Sequence, residues 1–115
     1  MTEWQNVGQE KNVDLLGLYY KDSKRWGFTF QIYAFMTRLK KWSQYSKMEG
    51  EGIKVSERSL LSDRYIFAAI MRDMDLLDQA EHSIYLQFYD HLVRMNSIID
   101  ISGVIYIQCP PEVCD

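Results

Sequence analysis

Cysteine is scarce in this chain: Cys109 and Cys114 are its two thiols in 115 residues, and they flank Pro110-Pro111 at a spacing that matches no common zinc or redox motif. A disulfide framework is thereby excluded, and the pair is expected as a buried thiol, Cys109, and a turn residue, Cys114, both unpaired. Glycine is sparse too, and none of the six opens a Gly-x-x-x-x-Gly-Lys-Ser/Thr run. Gly50-Glu51-Gly52 has no Lys-Ser or Lys-Thr pair in register after it, so residues 1–115 encode no nest of backbone N–H groups for nucleotide phosphates. Positive charge is not in excess. A net charge of -3 gives no basic footprint for nucleic acid and no field for an anionic membrane. No apolar run is long enough to span a bilayer, and Met1-Thr2-Glu3-Trp4 has neither a signal core nor an Arg-rich targeting pattern. The chain reads as soluble and intracellular, and any nucleotide-sized ligand must be held by local groups.

Core material is plentiful, with 47% hydrophobic and 14% aromatic residues, enough for one domain or part of one. Asn12 or Asp14 can cap a short helix carrying Leu15, Leu16, Leu18 and Tyr19 that ends near Tyr20. A long helix is expected from Ser23 to about Tyr45, with Trp26, Phe30, Ala34, Thr37 and Lys41 on one stripe and Gln31, Phe35, Arg38 and Trp42 on the next. After the polar loop from Ser46 to Gly52, residues Ile53 to Ser56 alternate weakly like a parallel strand, at an edge or half covered because of Lys54 and Ser56. Ser59 or Ser62 can cap a helix that ends near Asp73, followed by Met74, Leu76 and Leu77, which join Met71 as core filler. Gln79 to Asp100 forms another helix on an apolar stripe of Ile84, Phe88, Leu92, Met95 and Ile99, and Val104 to Gln108 suits a strand in a sheet interior. His82 and His91 project from opposite sides of that helix and cannot share a metal. The expected class is α/β: a short parallel sheet packed by long helices, mostly helical.

The densest chemistry lies in Glu57-Arg58-Ser59-Leu60-Leu61-Ser62-Asp63-Arg64-Tyr65-Ile66-Phe67-Ala68. Glu57 and Arg58 fall where a strand hands over to a helix, the edge at which open α/β sheets bind ligands. On residue type alone, a salt-bridged strand end is the other reading. Gln31 and Arg38 share a helix face about 10 Å apart along the axis. Gln31, flanked by Phe30 and Phe35, can present an acceptor and a donor together, the grip suited to a base edge. A glutamine bonded to backbone is the alternative.

The Glu57 to Ala68 run resembles the Glu-Arg-Ser and Asp-Arg-Tyr signature of the deoxynucleoside kinases, within them the deoxycytidine and deoxyguanosine kinase branch. Tyr20-Lys21-Asp22-Ser23-Lys24-Arg25-Trp26-Gly27-Phe28-Thr29-Phe30-Gln31-Ile32-Tyr33-Ala34 is similar to the family's Tyr…Arg-Trp…Phe-Gln-x-Tyr stretch, and Gly103-Val104-Ile105-Tyr106-Ile107-Gln108 with Pro111-Glu112-Val113-Cys114 to the strand and turn before its lid. The resemblance implies a partial P-loop-kinase-like fold, one domain over residues 1–115 that carries the nucleoside-binding half, with P-loop and lid outside it. It implies ATP-dependent 5′-phosphorylation of deoxyribonucleosides in nucleotide salvage, with Mg2+ and ATP, in cytoplasm or mitochondrion. Carried over by residue, Glu57 resembles the magnesium-associated catalytic acid, which holds the ion with phosphates in a complete enzyme, and Arg58 the arginine that orients the base and the accepted phosphate. Gln31, Arg38 and Asp63 meet the base, Tyr20 the sugar 3′-hydroxyl, and Trp4, Leu16, Phe30 and Phe67 line the pocket. The position of Asp63 is small in the thymidine-preferring branch, so an amino-bearing base is expected. The family pairs two long helices across a homodimer, for which Trp42, Tyr85 and Tyr89 would leave apolar surface. The family's Glu-Pro-Val precedes its Trp by two residues, so with Trp4 as anchor the general base falls before Met1 and Glu3 does not replace it. The isolated chain is therefore expected to be inactive, and a non-catalytic nucleoside-binding or dimerising remnant is the alternative.

Overall fold

Short polar side chains set the helix boundaries. In the computed structural model, which describes residues 3–8, 10, 12–48, 50, 52–96 and 101–114, Asp14 accepts a hydrogen bond from the Gly17 N–H at 2.9 Å and starts α1, Leu15–Lys21. Asp22 serves two helices at once. Its N–H closes α1 onto the Leu18 carbonyl, and its side chain accepts from the Arg25 N–H at 3.2 Å to open α2, Ser23–Lys47. With one residue between them the helices turn sharply, so α1 packs on α2 and Tyr19 stacks on Phe30 at 4.6 Å. At its far end α2 is closed by Lys54, whose Nζ donates to the carbonyls of Tyr45 at 2.8 Å and Met48 at 2.9 Å.

Ser59 caps the next helix by accepting from the Ser62 N–H at 3.4 Å. This helix, α3, Leu60–Ser62, runs directly into a π-helical turn, Asp63–Ala68, and then into α4, Ala69–Asp73. The wide turn decides which side chains face inward. Leu60, Asp63, Ala68 and Met71 are buried, whereas a uniform α-helix would place Phe67 beneath Asp63. Phe67 moves to the rim and stays half-buried. A reciprocal capping box, Glu81 N–H to Asp78 Oδ1 at 2.7 Å and Asp78 N–H to Glu81 Oε1 at 3.1 Å, opens α5, Gln79–Asn96. The sequence carries that helix on to Asp100, but residues 97–100, Ile99 among them, lie outside the described residues. The link between α4 and α5 comes so close to α2 that a Cβ on Gly27 would stand 2.6 Å from the Leu76 carbonyl oxygen.

The core joins Phe35 of α2, Leu60 and Ala68, and Tyr85 and Tyr89 of α5, with Trp42 and Leu92 against it. This corrects the stripe read from the sequence. Ile84, Phe88 and Met95 are exposed, while Tyr85 and Tyr89 point inward onto Phe35 at ring distances of 5.8 and 5.5 Å. Both stripes have helical period, and the tyrosines win because one hydroxyl finds a buried acceptor on the inner side. Met71 and Leu77 fill the core as expected, but Met74 is exposed at a turn led by Asp75, whose φ is 57°.

The expected sheet is not formed among the described residues. One isolated antiparallel bridge joins Val7 and Val13. Ile53 is 94% exposed and Val104 83%, so the segments 53–56 and 104–108 have no ladder partner to cover them. Cys109, at the end of the second segment, is consequently exposed rather than buried, and both thiols are free. No described helix is long and apolar enough to cross a membrane.

Candidate functional site

Asp63 is a carboxylate with no solvent exposure. Such a group persists in the folded state when a cation and further donors replace its water. Here Oδ1 pairs with the Arg38 guanidinium, and Oδ2 accepts from Gln31 Nε2 at 3.0 Å and from the Tyr85 hydroxyl. The π-helical turn supplies the acid, α2 the amide and the cation two turns apart, and α5 the phenol, so one residue ties three elements together. Burial pushes the Tyr85 hydroxyl well above its ordinary pKa, which keeps it a donor. Burial, and then the neighbouring Arg58 charge, lowers that of Arg38.

Gln31 is buried with its amide nitrogen turned to the carboxylate, so its carbonyl oxygen faces away from Asp63. Arg38 forms the rim of the cluster, its side chain 22% exposed. Its guanidinium lies 5.0 Å from the Phe67 ring and 5.8 Å from the Trp4 ring. Trp4 is fixed by a hydrogen bond from Nε1 to Thr37 Oγ1 at 3.1 Å and by an edge contact to Phe30 at 5.3 Å. The Arg58 guanidinium approaches Phe67 at 4.8 Å, so two cations share one ring. Arg58 has φ 62°, a left-handed backbone that costs a non-glycine residue about 1–2 kcal/mol. Ser56 Oγ helps to hold that turn by donating to the Arg58 carbonyl at 3.1 Å.

Seven of the residues singled out from the sequence thus adjoin one another: Gln31, Arg38, Asp63, Trp4, Phe30, Phe67 and Arg58. Tyr20 is 76% exposed on the outside of α1, and Leu16 is half-buried on the same helix. Glu57 has a side chain 89% exposed, 3.9 Å from Arg58. A hard divalent cation takes several oxygen ligands, and among the described residues no group of three or more His, Cys, Asp or Glu could hold a metal. The resemblance gives Glu57 a magnesium only together with phosphates, and such sites use one or two carboxylates beside the phosphate oxygens. Glu3, set beside Trp4, pairs with Lys41 at 3.4 Å. Tyr85 and Thr37 were not legible as site residues. The usable signal was that an acid inside an apolar helix needs donors, and a phenol four residues from another on a neighbouring helix can supply one.

A few polar groups fixed among aromatic side chains in the helical interior are the make-up of a small-molecule site. Comparison with known proteins supplies the family: the deoxynucleoside kinase family model matches residues 1–115, and the chain belongs to that family. It is 36% identical over 114 residues to the fowlpox virus protein named "Probable deoxycytidine kinase", covering 95% of this chain and 48% of that one. To the mitochondrial deoxyguanosine kinase of Xenopus laevis it is 34% identical over 129 residues, 99% and 49% of the two chains. To human deoxycytidine kinase it is 30% identical over 115 residues, 94% and 44%. The chain spans a little under half the length of these relatives.

Proposed function

We propose that the protein is a deoxynucleoside kinase, moving phosphate from ATP to the 5′-hydroxyl of a deoxyribonucleoside in cytoplasmic or mitochondrial nucleotide salvage. Residues 1–115 supply its nucleoside side. The observation that carries this reading is the convergence of Gln31 and Arg38 on the buried Asp63. A heterocycle among Trp4, Phe30 and Phe67 would meet Gln31 with one hydrogen-bond donor and one acceptor. Arg38 and Asp63 would stand behind it, Leu16 on the wall, and Tyr20 would reach the sugar. An amino-bearing base, cytosine or guanine, is favoured over thymine. Phosphoryl transfer rests on positioning and on charge placed against the phosphates. Arg58 and Glu57 stand at the rim for that part, while the ATP phosphate site lies outside residues 1–115. The segments 53–56 and 104–108, apolar and uncovered here, are proposed as strands of a P-loop-kinase-like parallel sheet.

Thermal unfolding with added nucleoside tests the binding half. A ligand at a hundred times its Kd stabilises the folded state by about 2.7 kcal/mol, so deoxycytidine or deoxyguanosine should raise Tm by several degrees and thymidine by less. Identical melting curves with and without every nucleoside would sink the reading. In a phosphotransfer assay with ATP, Mg2+ and deoxycytidine, residues 1–115 alone should give no turnover above a Glu57→Ala control. Turnover above that control would refute the assignment of the ATP site to elsewhere.

A homodimer through the long helices completes the proposal. Ile84 and Phe88 of α5 and Met36 of α2 are exposed side chains of the kind a helix pair covers. Sedimentation equilibrium should give twice the monomer mass, and Phe88→Glu should restore the monomer. A monomeric parent at micromolar concentration rules the dimer out.

A further inference from the structure

We infer that Tyr85 is a positioning residue for base discrimination: its hydroxyl holds the Asp63 carboxylate so that the Gln31 amide is presented in one orientation. The inference rests on the nucleoside reading above and goes beyond it, because Tyr85 lies in the core and would not touch the base.

Asp63 has two oxygens and competing donors. A guanidinium fork tends to take both oxygens of a carboxylate, which would draw Oδ2 toward Arg38 and away from Gln31. The Tyr85 hydroxyl, fixed on α5 and fully buried, donates to Oδ2 instead. Oδ2 therefore remains where Gln31 Nε2 reaches it at 3.0 Å. A glutamine amide can turn over and exchange its donor for its acceptor. With a carboxylate oxygen fixed opposite, the turned amide would set oxygen against oxygen, so one orientation persists. That orientation decides the base. A fixed acceptor beside a fixed donor matches the amino group and ring nitrogen of cytosine, whereas thymine offers a carbonyl oxygen and an N–H in the reverse order.

Tyr89 provides an internal contrast. It lies one turn along on the same inward face, is 3% exposed, and its buried hydroxyl has no hydrogen-bond partner among the described residues. Both rings fill the core, and the bond to Asp63 is particular to Tyr85.

The test compares Tyr85→Phe with Tyr89→Phe, the same loss of one oxygen at two neighbouring sites, by calorimetric binding of deoxycytidine and thymidine to the purified protein. Tyr85→Phe should weaken deoxycytidine about ten-fold, in line with one hydrogen bond to a charged group, and leave thymidine nearly unchanged. Tyr89→Phe should move neither. A Tyr85→Phe protein that melts lower but keeps the parent's ratio of affinities shows a structural tyrosine and overturns the inference, as does an equal change in Tyr89→Phe. A parent that binds no nucleoside overturns the functional reading and this one with it, which separates the two failures. If Tyr85→Phe does not fold, ζ-carbon-labelled tyrosine NMR of the parent decides. The Tyr85 resonance should shift with deoxycytidine and less with thymidine, and no shift with either refutes the coupling.

Discussion

Asp63→Ala is expected to cost the fold about 3–5 kcal/mol, the usual range for removing one partner of a buried ion pair. The carboxylate is the common acceptor of Gln31, Arg38 and Tyr85. Its removal leaves a buried amide and a buried phenol unpaired, at about 1–3 kcal/mol each. Arg38 softens the loss, because its side chain is 22% exposed and can turn to water, so the lower end of the range is favoured. Domains of this size are stable by about 5–15 kcal/mol, so the variant should lie close to unfolding. Urea denaturation measures it, and a loss below about 1 kcal/mol would mean that the carboxylate is not enclosed as described. Replacing Gln31, Arg38 and Asp63 together by apolar residues of similar volume, with Tyr85→Phe to remove the unpaired hydroxyl, should recover much of the stability, since a well-packed apolar set often equals a buried ion pair. Nucleoside binding would be lost in the process. Recovery without binding would assign the cluster to recognition rather than to folding.

The helices were legible because their boundaries are written in local chemistry. Asp14 and Ser59, each one of two cap candidates in the sequence, start their helices, and Asp22 and the Asp78–Glu81 pair, caps found in the structure, act over the same few residues. Gln31, Arg38 and Asp63 were legible for a different reason, the resemblance of their blocks to a family, and they meet at one point. The inward face of α5 was not legible. Ile84 and Phe88 have the same spacing as Tyr85 and Tyr89, and the choice between them depends on Asp63, some twenty residues away in sequence. The rim position of Phe67 was not legible for a related reason, because no residue between Asp63 and Ala68 announces a π-helical turn. The strands failed on partners rather than on pattern. Ile53 to Ser56 and Val104 to Gln108 keep their alternation or apolar run, yet a strand is stabilised by its neighbours, and none pairs with them among the described residues.

Gln31→Ala is expected to weaken deoxycytidine binding about a hundred-fold, the equivalent of two hydrogen bonds at about 1.4 kcal/mol each. The variant should remain folded. Asp63 keeps Arg38 and Tyr85 as partners, so the carboxylate is still neutralised and the loss of one amide bond costs about 1–2 kcal/mol. Stability and recognition thus come apart at this position, whereas at Asp63 they fall together. Thymidine, which gains nothing from an amide fixed in the wrong order, should lose little, and the two nucleosides should become nearly equal in affinity. Calorimetry on parent and variant, each checked for folding by its urea midpoint, decides the matter. Deoxycytidine affinity within about three-fold of the parent would show that the base is not read by Gln31, and the buried cluster would then be a device of folding alone.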